Sequence, residues 1–217
     1  MTIVSTTEHG RPRLVLASAS PARLRTLRAA GVEPEVLVSG VDESAVDATR
    51  AETLAGTLAR MKAEAVAGRL RIQPPVPHGR RLVLGCDSVL AFDGAILGKP
   101  ADATEAVRRW HAMRGREGVL HTGHCLIDLE TGKNAEAVSA TVVRFADVTD
   151  VEINAYVATG EPIAVAGAFT IDGLGGWFLE SISGDAGTVI GVSLPTLRRL
   201  LAEHGLSVAE LWTTPTP

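Results

Sequence analysis

Asp87 stands between the apolar run Leu82-Val83-Leu84-Gly85-Cys86 and Ser88-Val89-Leu90, so a carboxylate falls inside a stretch that reads as a buried strand. An ionised carboxylate there is costly unless a cation or a hydrogen-bond donor meets it. Two uses satisfy that condition: a salt bridge or strand-end cap, and metal binding or general-base work. Ser18-Ala19-Ser20-Pro21-Ala22-Arg23 is the second feature with chemical content. It sets hydroxyls and backbone N–H groups at a helix N-terminus, where the partial positive charge favours anions, and Arg23 adds a full charge within the first turn. That is a phosphate site in outline; the plainer use of Ser20 before Pro21 is an N-cap.

Lys62, one residue beyond Met61 at the margin of an apolar helix face, and Lys99, held between Gly98 and Pro100, each read alone as solvated lysines. A triphosphate needs several positive groups, and polar residues at the ends of successive strands converge on one cleft even when distant in sequence. Other motifs are poorly supported. The chain has no Walker A sequence and no G-x-G-x-x-G after a strand. Gly173-Leu174-Gly175-Gly176 reads as a tight connection. His121 and His124, three residues apart on a strand, point to opposite faces, and with Cys125 they lack the second cluster that structural zinc requires.

These residues need elements to hold them. Leu14–Ala17 predicts a strand and Pro21–Ala30 a helix, capped by Ser20 and closed by Gly31. Val36–Val41 predicts a second strand, and Leu54, Leu58, Met61 and Ala65 mark one face of a helix reaching about Gly68. Pro74, Pro75, Pro77 and Gly79 form an expected linker. Beyond it the reading is a strand over Arg81–Phe92, a hairpin turn at Asp93-Gly94 and a return strand over Ala95–Leu97. A helix follows from Asp102, carrying Ala106, Val107, Trp110 and Met113 inward. Val119–Asp128 and Ala135–Phe145 predict long paired strands, Thr149–Gly160 a helix, Ala164–Ile171 and Trp177–Ile182 strands, and Pro195 the start of a last helix. Hairpins mixed with crossover helices predict a mixed α/β sheet rather than a doubly wound parallel one.

The formal net charge of -4, with no long run of either sign, gives no extended basic footprint for duplex nucleic acid or an anionic membrane. Cys86 and Cys125 lie in apolar runs and read as free buried thiols. No signal-peptide core and no stretch of about 18 apolar residues occurs, so a cytoplasmic address is expected. Residues 1–12 and 213–217 read as flexible tails.

Taken in order, Leu16-Ala17-Ser18-Ala19-Ser20-Pro21, Asp42-Glu43, Lys62-Ala63, Gly85-Cys86-Asp87-Ser88, Gly98-Lys99-Pro100, Thr122-Gly123 and Ala166-Gly167-Ala168-Phe169 form a pattern far more specific than any one of them. It resembles the Maf family of nucleoside triphosphate pyrophosphatases, also called septum-formation inhibitor proteins, from about Leu14 to Leu201. The resemblance implies one Maf-like domain with a cleft between two lobes, like that of the inosine triphosphate pyrophosphatases, and assembly as a homodimer. It implies hydrolysis of a nucleoside triphosphate to the monophosphate and pyrophosphate with a divalent cation, Mg²⁺ or Mn²⁺.

Carried over by position, Asp87 is the proton acceptor, Glu43 joins it in holding the metal or water, and Ser18, Ser20, Arg23, Lys62 and Lys99 bind phosphates. The chain departs from the common pattern at Ala22, where a second arginine is usual, and at Ser88, where threonine is frequent. It departs again at Asp172, where the dTTP/UTP-cleaving branch has glutamine, and at Gly118, often histidine. Ala22, Ser88 and Asp172 map to positions tied to base selection, and an acceptor-only Asp172 would read a base edge differently from an amide. Removal of modified or damaged nucleotides is a related expectation. The rival reading is a nucleotide-sensing regulator that inhibits septum formation without catalysis.

Overall fold

The computed structural model describes residues 10–72 and 79–213. The expected linker at Pro74, Pro75 and Pro77 and most of both expected tails lie outside the described residues.

One mixed sheet runs through the molecule in the order β2-β1-β3-β5-β6-β7, with β4 paired to β3. β1 (Arg13–Leu16) is parallel to both β2 (Glu35–Val36) and β3 (Arg81–Phe92). β4 (Ala95–Leu97), β5 (Glu117–Asp128), β6 (Asn134–Phe145) and β7 (Leu179–Ser183) join by antiparallel ladders. The β3–β4 turn places Asp93 and Gly94 at φ of 51° and 75°, the positive-φ pair that matches a hairpin's twist.

Helices cover both faces. α1 (Pro21–Ala29) starts from the Ser20 cap, with Pro21 where a missing N–H costs nothing. α2 (Ala51–Arg71) lies on one face, where Ala63, Val66, Ala67 and Leu70 meet Val15, Val83, Cys125 and Ile127. The opposite face carries Leu82, Leu84, Cys86 and Leu126 against Leu27 of α1 and Leu197, Leu200 and Leu201 of α6 (Leu194–Glu203). Farther along the same strands, Leu90, Phe92, Leu120, Val143 and Phe145 join α3 (Ala103–Met113) and α4 (Asp150–Ala158) in a second core. Trp110 sits at its centre, edge-on to Phe145 and Tyr156, with its indole N–H donating to the Ala168 carbonyl at 2.8 Å. The twelve-residue strands β3, β5 and β6 thus serve two cores, and the cleft opens between them.

Two glycines set the distance between α2 and the sheet. A Cβ on Gly85 would come 2.1 Å from the Ala59 carbonyl oxygen, and one on Gly123 would come 2.2 Å from that of Ala55. The absence of side chains there lets the helix backbone approach the strands closely.

Three sequence expectations need correction. The buried face of α2 is Ala55, Leu58, Ala59, Lys62, Ala63 and Val66, so Lys62 belongs to that face rather than its margin. The expected strand at Val36–Val41 stops at Val36, and Gly40 turns at φ 69°. The expected strand at Ala164–Ile171 is instead two 3₁₀ turns, Glu161–Ala164 and Ala166–Ala168, because Gly167 and Ala168 have φ of 71° and 63°, incompatible with extended chain. A five-residue helix, α5 (Ala186–Ile190), has no counterpart in the sequence reading. No helix among the described residues is long and apolar enough to cross a membrane.

Candidate active site

Asp87 and Ser88 are adjacent on β3 and therefore serve opposite faces of the sheet. Asp87 is 6% exposed and meets α2, where the ammonium of Lys62, a residue 8% exposed, lies 2.5 Å from its Oδ1. The same ammonium lies 2.7 Å from Oε1 of Glu43. Glu43 opens a short 3₁₀ turn, Glu43–Ala45, capped by Asp42, whose carboxylate accepts the Ser44 N–H at 3.0 Å. Burial pushes the Asp87 carboxyl above its ordinary range; Lys62 and Arg23 pull it back in part, and Glu43 opposes them. The result is a buried carboxylate, in contact with a cation, whose affinity for a proton is higher than usual.

Ser88 meets α1. Arg23 donates from Nε to the Gly191 carbonyl at 2.8 Å, from Nη1 to Ser18 Oγ at 3.0 Å and from Nη2 to Ser88 Oγ at 3.2 Å. Three of the five guanidinium N–H groups are thereby fixed and two remain for a ligand. The hydroxyls behind it run in one direction: Thr122 donates to the Thr188 carbonyl at 2.7 Å, so Ser88, 2.8 Å from Thr122, donates to it and accepts from Arg23. Gly191, the C-cap of α5 at φ 116°, completes the socket; a Cβ there would come 2.9 Å from Arg23 Nε. Ser18 Oγ accepts from both Arg23 and the Ser20 N–H, the latter at 3.1 Å, which leaves its own proton to donate.

The opposite wall is more exposed to water. Lys99 is exposed just after β4. Asp172 lies 3.1 Å from Nη2 of Arg25 on α1. All ten residues singled out in the sequence, namely Ser18, Ser20, Ala22, Arg23, Glu43, Lys62, Asp87, Ser88, Lys99 and Asp172, line one cleft of about 900 Å³. That is the size range of small-molecule sites. Three contributors escape the sequence reading, Arg25, Glu161 and Gly191, while Thr122, read there only as part of a motif, is the relay behind Ser88. Arg25 carries a readable signal, since it falls one turn after Ala22 on the same helix face. Gly191 and Glu161 carry none, because their roles depend on partners up to 168 residues away or on loop closure.

A model of the family described as Maf-like protein matches residues 13–204. The chain belongs to the Maf family. Proteins named nucleoside triphosphate pyrophosphatase align along most of its length. The one from Salinispora tropica is 64% identical over 210 residues, covering 94% of this chain and 92% of that protein. That from Streptomyces coelicolor is 59% identical, covering 95% and 97% respectively. That from Nostoc punctiforme is 49% identical, covering 93% and 98%. Within this Maf-family chain, Ser88 touches Arg23, whereas Asp172 faces across the cleft mouth toward Arg25.

Proposed function

We propose that this chain hydrolyses nucleoside triphosphates between the α- and β-phosphates, releasing the nucleoside monophosphate and pyrophosphate. The observation that carries the proposal is the buried Asp87–Lys62 pair, joined to Glu43, in the same cleft as the Arg23 socket. Those are the groups that in-line displacement at phosphorus requires: a base on one side and fixed cations for the leaving charge on the other.

In the proposed reaction a water oxygen bonds to the α-phosphorus and its proton passes to Asp87. The bond from the α-phosphorus to the bridging oxygen breaks, and that oxygen leaves with pyrophosphate. Lys62 holds the Asp87 carboxylate in place. The two open N–H groups of Arg23, the Ser18 hydroxyl, Ser20 at the N-terminus of α1 and Lys99 take up phosphate charge. Ala22 and Asp172 belong to base selection in this reading, and Ser88 acts through Arg23.

The residues fit a hard divalent cation. Lys62 engages one oxygen each of Asp87 and Glu43, leaving the second oxygen of each carboxylate open. Mg²⁺ is commonly held by one or two carboxylates together with substrate phosphates. When bound, Mg²⁺ or Mn²⁺ would draw charge from the phosphates and acidify water. Assembly as a homodimer forms part of the same proposal, on the family's strength.

A panel of triphosphates assayed with Mg²⁺ and Mn²⁺, with products separated, tests the reading. Monophosphate plus pyrophosphate is expected; orthophosphate as the first product would overturn it.

A further inference from the structure

Arg25 and Asp172 approach the cleft from opposite sides. α1 belongs to the core shared with α6, whereas Asp172 follows the turn Ala166–Ala168 that packs on the core of α3 and α4. Their side chains are 65% and 28% exposed. An ion pair so accessible to water contributes little to holding two lobes together. It does change what the cleft mouth can recognise. A carboxylate alone offers only acceptors. Here Oδ2 of Asp172 is taken by one guanidinium N–H of Arg25, while Oδ1 and the other N–H groups stay open. Together the two side chains offer an acceptor beside a donor. Ala22, one turn earlier on α1 and also lining the cleft, leaves only a methyl group next to Arg25.

The Asp172 segment is held from behind by a second carboxylate. Glu161 Oε1 accepts from Tyr156 OH at 2.8 Å, Thr170 Oγ1 at 2.6 Å and the Gly175 N–H at 2.9 Å; Oε2 accepts from the Leu174 N–H at 3.0 Å. Both ends of the 170–175 segment are thus fixed to one side chain. A Cβ on Gly173 would fall 2.5 Å from Glu161 Oε2, so the segment closes directly onto it. Recognition groups fixed in this way lose little freedom on binding.

We infer that the Arg25–Asp172 pair is the base-reading edge of the cleft. Arg25 is a specificity-determining residue that supplies the donor Asp172 lacks, and Glu161 is the positioning residue that fixes Asp172. The matching ligand feature is a nucleobase edge carrying a donor and an acceptor side by side. This rests on the proposed role of Asp172 in base selection.

The test is kcat/KM for ATP, GTP, CTP, UTP and dTTP with the unaltered protein, Arg25→Ala, Asp172→Asn and the double variant, together with inhibition by inorganic pyrophosphate. Loss of a charge-assisted hydrogen bond to the base is expected to change the ratio between best and worst base by ~10-fold or more in Arg25→Ala. The pyrophosphate inhibition constant should stay within about twofold, because pyrophosphate has no base. The double variant should match one single variant rather than add the two.

An equal fall for every triphosphate, a weakened pyrophosphate inhibition, or a panel already flat in the unaltered protein would overturn the inference, and the first two would make Arg25 a phosphate ligand. If Asp172→Asn alters selectivity and Arg25→Ala does not, the inference fails and the role of Asp172 stands; if neither does, both fail. Glu161→Gln, which replaces one acceptor oxygen by a donor, should blur selectivity while pyrophosphate inhibition holds. A uniform loss of kcat would reduce Glu161 to a structural residue.

Discussion

The two walls of the cleft are built on different principles. On one, Arg23, Lys62, Asp87 and Ser18 are all buried, and each charged group has partners drawn from distant parts of the chain. On the other, Lys99 is exposed and Asp172, on a short loop segment, pairs with the exposed Arg25 of α1. Burial makes each charge expensive to leave unpaired, so the first wall is rigid and tolerates little change. Exposure makes each charge cheap to replace, so the second wall can vary without loss of fold. In the proposed enzyme, chemistry sits where substitution is costly and substrate choice where it is not.

The largest effect should come from the buried wall. Asp87→Asn is expected to lower kcat by about 10³-fold, within the range for loss of a general base. The folded-state pKa of Asp87 is raised, so the ionised form costs stability: the group's contribution is present below its unfolded pKa and lost as pH rises through the folded value. The neutral variant escapes that cost but leaves the buried Lys62 ammonium with Glu43 as its remaining partner, so it should still melt below the parent at neutral pH, which thermal unfolding checks. By the same sign, the acid limb of kcat/KM should lie at a higher pH than an ordinary aspartate would give.

His124, on β5 below the Arg23 socket, shows the opposite sign. Its Nε2 accepts the Ser193 N–H at 2.9 Å, and Nδ1 is buried without a partner among the described residues. Burial first, then the nearby Arg23 charge, push its pKa down to about 4. The neutral ring contributes stability above the unfolded pKa of about 6.5, lost as pH falls toward 4, on the order of 3 kcal/mol. Urea unfolding at pH 7 and pH 4 should show that loss, and His124→Gln should reduce it.

Arg23→Lys keeps the charge but cannot make the three fixed bonds of the guanidinium, and should lower kcat/KM ~10²-fold. Lys99→Ala, on the exposed wall, should cost only about tenfold, mostly in KM. Equal losses from Arg23→Lys and Lys99→Ala would erase the contrast between the walls; a wider gap would sharpen it.

Much of this architecture is legible in the residues. Asp93-Gly94 announces its hairpin, and Ser20-Pro21, Asp102 and Thr149 with Glu152 announce three helix starts. What escapes is long-range or conformational. Val165, Phe169, Thr170 and Ile171 have strand propensity, yet positive φ at Gly167 and Ala168 overrides it. α5 is too short for periodicity to show. The face of α2 is misjudged because alanines carry it, and that error hides the burial of Lys62. The catalytic candidates emerge from an ordered set of motifs, whereas Arg25 and Glu161 gain meaning only when the 170–175 segment is seen to close on them.

Attack of water on the α-phosphorus is the step on which the proposed function rests. Hydrolysis of a nucleoside triphosphate in ¹⁸O-labelled water, read by mass spectrometry of the products, tests this most directly. One ¹⁸O in the monophosphate and none in pyrophosphate is the expected result. Label in pyrophosphate or in orthophosphate would contradict it.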